Sequence, residues 1–596
     1  MTPVSETPFS RIQRRLVRGD LITASREITA WMKLQPGDAG ALTAHAFLLR
    51  LRGRYQDAVA VLERSLAIAP GFAPSLIEMA RLARHEGLPE RARAWYEEAH
   101  RKAPDETKWF EEWGELLMQL GCNEEAIQVA NWWCERQPES SKAWFLLGLI
   151  HQQAESHAAA LEAYHRTRAL DTDHPMLSNN LSALHCSMGD YETALRFCSE
   201  AIRANPDNAL PWTNASNAWL LRREPANALI EAERACALSP DYASALLALN
   251  NSLKELRRPE EALEVMVRAA RAMPGDPKIK WTIAMLQLLL GDYRNGFLNH
   301  EARWTGSPEL EKQQYFCEDK KWHGEDLAGK KLLIWGEQGF GDAIQFVRFV
   351  PQIAQRVHSA GGMLIYCCFA ELLPLFNRTL ALYGVPLLPN DMQLLPEFDF
   401  HVPVGSLPLA LGITLDTLLA PQRYLEPDPV RVAWWRAQLP KDGRLKVGLA
   451  WSGSRTHQRN PLRAVPPALY AQAFAELPGV EFYSLQIDGA DEVKAMSSQG
   501  LTLVDRTPEL KSFDETAALI CNLDLVITVC TSLAHLSGAL GARTWLLLDV
   551  NPHWVWMLER DESAWYPALT LYRQQEYADW STVLEQVRIG LLNLRP

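Results

Sequence analysis

An α-helical solenoid followed by an α/β region of parallel sheets is the fold this sequence predicts, on three observations. Prolines recur every 34 residues through the first half of the 596-residue chain. Small residues and glycines recur in fixed phase with those prolines. After residue 308 that beat stops, and strand-length apolar runs alternate with helical stretches.

The prolines are Pro36, Pro70, Pro104, Pro138, Pro206, Pro240, Pro274 and Pro308, with Thr172 at the one skipped beat. Twelve residues before each beat stand Ala24, Ala58, Ala92, Ala126, Ala160, Ala194, Ala228, Ala262 and Gly296. Five residues before these, glycine recurs at Gly53, Gly87, Gly121, Gly189 and Gly291. Each series answers a physical need. Glycine permits a tight turn between two helices, the small residue lets the helices approach, and proline stops the second helix. The unit resembles the tetratricopeptide repeat, a helix–turn–helix of this length. About eight to nine repeats are expected over 1–308. The resemblance implies a superhelix whose groove takes protein ligands.

Asn180 and Asn214 share one phase on first helices of the repeats, and Asn217 and Asn251 share another. Asn214 and Asn217 lie three apart, hence on one helix face. Asparagine is a mediocre helix former, but its amide can donate to and accept from a peptide backbone together. The pattern resembles the asparagine ladder of the O-GlcNAc transferase superhelix, which grips extended polypeptides; solvated polar positions would read the same way. Trp109, Trp113, Trp132, Trp133, Trp144, Trp212 and Trp219 read as inter-repeat core.

Composition narrows the function classes. Lys+Arg number 60 against 72 Asp+Glu, a net charge of −12. Neither half is basic, which argues against a nucleic-acid or anionic-membrane binder. No apolar run approaches the ~18–20 residues needed to span a bilayer. The first twenty residues lack the apolar core of a signal peptide. Ten cysteines without metal-type spacing read as reduced thiols, so the expected location is cytoplasmic.

In the α/β region, KKLLIWGEQGFGDAIQFVRFV reads as a buried strand, a glycine-rich turn and a helix opening near Asp342. Further strands are expected at 363–368, 398–404, 445–451, 480–486, 524–529 and 544–548. A proline-rich seam over 421–435 divides two halves, giving lobes at 309–425 and 426–596 with a cleft between them. The final helix is expected to return to the first lobe. Gly339 and Gly341 fall short of the dinucleotide fingerprint; a bare glycine turn there lets backbone pass close to a neighbour. In the second half, Leu449–Ser454 ends a strand in a small-residue turn, and Asp524–Gly541 reads as strand, hydroxyl-rich turn and helix. Thr531 and Ser532 would open that helix, where backbone N–H groups and the dipole favour phosphate. A plain Ser/Thr cap with His535 as a surface histidine is the alternative.

Taken in order, EQGFGDAIQFVRFVP, VGLAWSGS, NPLRAVP, DLVITVCTSLAHLSGALG and WVWMLERDESAWYP resemble bacterial glycosyltransferases of the GT-B fold. The closest likeness is to heptosyltransferase-like domains fused to tetratricopeptide arrays. GDYRNGFLNHEARW (Gly291–Trp304) resembles the closing repeat that couples array to enzyme in such fusions. The resemblance implies Asp342 as general base, because an acceptor hydroxyl must lose its proton as it attacks, and it places the glycine turn of Gly339 and Gly341 near that acceptor. It implies a nucleotide-sugar donor held by the second lobe, and inversion at the transferred carbon. Trp451, Ser452, Gly453 and Asn460 would approach the donor. Arg463, in the segment opened by Asn460, would neutralise the leaving phosphate; a surface ion pair is its alternative. Thr531, Ser532 and His535 match the nucleotide-binding turn.

One residue departs from the pattern: Cys530 stands where such domains usually carry aspartate, which points to a different donor or to a degenerate lobe. No cofactor and no metal are expected, and Asp171-Thr172-Asp173 reads as a capped turn. Among such architectures the flagellin glycosyltransferases are the most similar, implying flagellin as acceptor and a pseudaminic-type nonulosonic sugar, with protein O-glycosylation at Ser or Thr. A non-catalytic scaffold is the competing class. A lipopolysaccharide-type transferase would leave the repeats without a task.

Overall fold

The computed structural model describes residues 7–310, 318–337, 339–391, 395–475 and 477–594. They pack as two compact units, Met1–Pro206 and Asp207–Pro596. The first is wholly helical, and the second joins the last helical hairpins to the α/β region.

Among the described residues, the 34-residue beat becomes nine helical hairpins over 8–300. Each second helix from Leu21–Leu34 to Pro259–Ala272 has 14 residues and stops two residues before its beat. The residue preceding proline is pushed out of the helical region, and Gln35 accordingly sits at φ −138°, ψ 77°. The eight phased alanines, Ala24 to Ala262, are fully buried. At Gly296 an added Cβ would lie 2.7 Å from the Leu288 side chain, so the paired helices leave room for little more than hydrogen.

Every hairpin turn needs one left-handed residue. Glycine fills that place at 19, 53, 87, 121, 189 and 291, whereas Glu155, Arg223 and Arg257 adopt it with φ of 55°, 68° and 57°. Such a backbone costs a non-glycine residue roughly 1–2 kcal/mol. The two arginines use their side chains: Arg223 donates to the Pro461 carbonyl at 3.5 Å and Arg257 to Gln575 at 3.3 Å. Glu155 has no comparable task among its described contacts. Glu155→Gly is therefore expected to stabilise the first unit by about 0.5–1 kcal/mol after glycine's own entropy loss. A denaturant midpoint that falls would contradict this account of the turn.

Tryptophans fill the gaps between hairpins. Trp109, Trp113 and Trp133 lie in the core of the first unit, and Trp132 and Trp144 pack against it. In the second unit Trp212 packs on the hairpin core and the Arg222 guanidinium covers Trp219.

Among the described residues, the α/β region carries ten strands in two all-parallel sheets. The first contains β1 (Lys331–Trp335), β2 (Met363–Cys368), β3 (Leu387–Pro389) and β4 (Phe400–Pro403), in the order β3-β2-β1-β4. The second contains β5 (Leu445–Ala450), β6 (Val480–Ser484), β7 (Leu503–Asp505), β8 (Leu525–Val529), β9 (Thr544–Leu548) and β10 (Leu569–Arg573), in the order β10-β9-β8-β5-β6-β7. β3, β7 and β10 add to the strands expected from sequence. Each sheet reverses its strand order once, between β1 and β4 and between β5 and β8. Open α/β sheets bind ligands outside the carboxyl ends of strands at such reversals.

The last helix, Ser581–Asn593, corrects an expectation. Its Val583, Leu584, Val587 and Leu591 join the core under the second sheet, with Tyr470, Trp545 and Val447. It does not return to the first half, because its apolar face matches the β5–β10 sheet. The aromatic segment after β9 packs instead on the closing repeat. The Trp565 indole donates to the Tyr293 hydroxyl at 2.7 Å, and Trp554 meets Tyr293 and Phe297 edge-on. Among the described residues no helix is long and apolar enough to cross a membrane.

Candidate functional site

The turn after β1 is fixed from beneath by a buried ion pair. Glu337 and Arg303 are both fully buried; Arg303 donates to Glu337 at 2.8 and 2.9 Å and to Ser406 at 2.8 Å. The second Glu337 oxygen accepts the Gly405 N–H at 2.6 Å, just past β4. The glycine turn and the end of β4 are thereby held together at the first reversal. Arg303 belongs to the closing-repeat segment, which thus contacts the α/β region through a buried charge. Burial works to raise the Glu301 carboxyl, but Arg303 and the Ser406 hydroxyl hold it down at about 2.

Above this pair the helix Phe340–Phe346 begins two residues before Asp342, which lies in its first turn. Its carboxylate turns back to accept the Gly339 N–H at 3.3 Å. Withdrawal from water raises Asp342 to about 7; the Gly339 N–H opposes this, and the charges of Glu337 and Glu309 reinforce it. A carboxyl titrating there is matched to proton transfer near neutrality.

Gly341 faces the second sheet. A Cβ on it would stand 3.1 Å from the His535 ring and 3.6 Å from the Ser532 Cα. The turn after β1 therefore abuts the helix Ser532–Ala539 that follows β8. Thr531 caps that helix, its hydroxyl accepting the Leu533 N–H at 3.2 Å, and Ser532 is the first helical residue. His535 is buried, contrary to the surface alternative; its Nδ1 lies 2.8 Å from the Tyr566 hydroxyl, and Trp556 packs against its ring. Burial, with His553 and Arg348, holds His535 well below the usual histidine range, so it is neutral at pH 7. Cys530 accepts from the Trp556 indole at 3.1 Å, and burial raises its thiol, which stays protonated.

The loop after β5 lies at the second reversal, beside the end of β8. Gln486 Oε1 accepts the N–H groups of Trp451 and Ser452 at 3.3 and 3.0 Å, and Asn460 Oδ1 accepts that of Gly453 at 2.9 Å. Asn460 Nδ2 donates to the Ser452 hydroxyl at 3.1 Å. Asn460 thus shapes the turn through both ends of its amide. The Trp451 indole is buried in the core beneath the sheet, so only its backbone reaches the loop. The Arg463 guanidinium lies on Gly453, where a Cβ would stand 2.5 Å from its Nη2. Its Nε is buried without a protein partner. An arginine with an unsatisfied donor, beside a backbone stripped of its side chain, suits an anion.

Several neighbours escaped the sequence reading. Arg459 lies between Asp549, just past β9, and Glu255 of the repeat helix Ala243–Glu255. His457 faces Glu309 at 3.7 Å. Tyr566 and Trp556 set the surroundings of His535 and Cys530. The only signal for these residues is position: Arg459 adjoins Asn460, and Trp556 and Tyr566 fall in the aromatic segment.

The four asparagines are divided between the two units. Asn180 lies in the first unit and donates to the Met176 carbonyl of its own helix at 2.9 Å. Asn214, Asn217 and Asn251 lie in the second, with Asn217 and Asn251 exposed and Asn214 half-buried. Asn251 accepts from Asn250 at 3.1 Å. At the skipped beat the Asp171 carboxylate accepts the Asp173 N–H at 3.3 Å, a local turn. Among the described residues no three His, Cys, Asp or Glu side chains are grouped to hold a metal ion.

Comparison with known proteins bears on both regions. Tetratricopeptide repeat families match residues 49–111 and 112–175. Protein FlbA of Caulobacter vibrioides is 28% identical over 523 residues, covering 77% of this chain and 85% of that protein. Tetratricopeptide repeat protein 28 of Mus musculus is 28% identical over 155 residues, 26% of this chain and 6% of its own length. Among solved structures, the APC/C heterotetramer Cut9–Hcn1 aligns with 42% of this chain and 49% of its own, at 17% identity and a TM-score of 0.35. The chain thus carries tetratricopeptide repeats, followed by a parallel-sheet α/β region.

Proposed function

We propose that this protein is a cytoplasmic, metal-independent glycosyltransferase of the GT-B kind, acting on a polypeptide recruited by its repeats. The observation that carries the reading is the approach of the Asp342 turn to the Ser532–Ala539 helix end, with Gly341 against His535. A base that titrates near 7 stands on one side. On the other stand a helix N-terminus and an arginine with a spare buried donor.

The chemistry assigns each group a task. The acceptor Ser or Thr hydroxyl gives its proton to Asp342 as its oxygen bonds to the anomeric carbon. The bond from that carbon to the donor phosphate breaks, and the phosphate leaves with the electron pair. Arg463 and the backbone N–H groups around Thr531 and Ser532 receive the charge that builds there. Attack opposite the leaving group inverts the anomeric centre. Repeats that hold the acceptor raise its effective concentration at Asp342.

Flagellin is the acceptor we favour, on the resemblance to flagellin glycosyltransferases, together with the similarity over most of the chain to Protein FlbA. A CMP-linked nonulosonic acid of the pseudaminic type is the corresponding donor. Cys530 supports a second reading, a protein-binding scaffold whose α/β region lacks chemistry, because its thiol is taken up by the Trp556 indole. Calorimetry separates the two. Wild-type protein should bind a CMP-nonulosonate or, failing that, another nucleotide-sugar, and Arg463→Met should weaken binding at least about tenfold, as losing one charge-assisted contact does. No binding of any nucleotide-sugar by the wild type would favour the scaffold.

A further inference from the structure

The turn Asn460–Arg463 presents Arg463, yet it belongs to no sheet and lies in the long connection after β5. Its anchor is the residue before it. Arg459 donates to Glu255 at 2.5 Å and to Asp549 at 2.8 Å, while Asn551 donates to the same Glu255 oxygen at 2.9 Å. The Glu255 and Asp549 side chains are 9% and 5% exposed. The Arg459 carbonyl in turn accepts the Arg463 N–H at 3.1 Å. A carboxylate on a repeat helix is therefore linked, through one guanidinium, to the backbone that carries Arg463. Asn551 brings the segment after β9 to the same point.

We infer that Glu255 is a positioning residue: the repeat array sets the donor-side turn Asn460–Arg463 through Arg459, in addition to recruiting the acceptor. The array then contributes to donor binding without touching the donor. Charge-assisted, nearly buried contacts of this kind hold their geometry better than exposed pairs. Removing Glu255 leaves Arg459 with Asp549 alone, so the turn loses one of the two ion pairs that hold it, and Asn551 loses its bond to the same carboxylate.

The kinetic half of this inference rests on the transferase reading; the structural half does not. Backbone hydrogen exchange of the full-length chain without donor, wild type against Glu255→Gln, tests the latter. Amides within 452–463 should exchange at least tenfold faster in the variant, with those of β9 unchanged as a control for global unfolding. If the glutamine variant does not fold, Glu255→Asp, which keeps the charge and shortens the reach, is read by the same criterion. Unchanged exchange in 452–463 would overturn the inference. In transfer assays the donor KM should rise at least tenfold and kcat should fall with it, because Arg463 also receives the charge on the leaving phosphate, while acceptor KM stays within twofold. Faster exchange with an unmoved donor KM would also overturn it. A wild-type chain that transfers nothing would defeat the transferase reading instead, and exchange alone would then decide the role of Glu255.

Discussion

Asp342→Asn is expected to lower transfer roughly 10²–10⁴-fold and, above pH 7, to make the folded chain more stable. Both effects have one cause. Asp342 is held at about 7 by its surroundings, whereas in the unfolded chain it titrates in the ordinary carboxylate range. Between those values the unfolded chain is ionised and the folded chain is not, so rising pH through that window favours unfolding. Asparagine removes that penalty. The gain should be absent below pH 4 and reach on the order of 1–3 kcal/mol above pH 7, allowing for the partly open side chain. Thermal melts of both chains at pH 4 and pH 8 read it directly. Wild-type transfer should rise with pH through about 7 and then level, as the base loses its proton. Equal melting shifts at both pH values, or a flat pH profile, would remove Asp342 from the role of base.

Arg303→Met should be the most destabilising substitution near the site, by about 3–5 kcal/mol, the usual penalty for leaving a buried charge alone. Glu337 has no water to turn to, and Glu301 loses the guanidinium that holds it at about 2. Adding Glu337→Gln should recover at least about 1 kcal/mol, since the amide oxygen can still accept the Gly405 N–H. Denaturant titration of the single and double variants checks this. A single variant within about 0.5 kcal/mol of wild type would show that the pair does not secure the turn beneath Asp342.

The hairpins were legible because three local requirements repeat together. The buried alanine, the left-handed turn residue and the helix-stopping proline each need a particular side chain, whatever lies elsewhere. The turns at Glu155, Arg223 and Arg257 were hidden because residue type alone does not reveal a left-handed backbone. Central strands were equally open to reading: β2 and β9 run over the residues expected, as continuous apolar runs. β3, β7 and β10 were not, being edge strands that are only partly buried and so lack such runs.

At the candidate site, the sequence located the turns after β1, β5 and β8 but not what each side chain does in them. Trp451 and Asn460 were expected to approach the donor, yet one points into the core and the other shapes its own loop. Gly341 and His535 could be linked only in three dimensions, since they belong to different sheets. The ion pairs were unreadable for a similar reason. Arg459 and Glu255 are 204 residues apart, and any of the chain's 60 basic residues could have met any of its 72 acidic ones.

The most direct test of the central claim is the intact mass of flagellin from cells carrying the wild-type protein and from cells carrying Asp342→Asn. A transferase gives flagellin one or more mass increments of a single sugar with the wild type, and the bare mass with the variant. Identical masses from the two strains, on flagellin and on every other soluble protein compared, would contradict it.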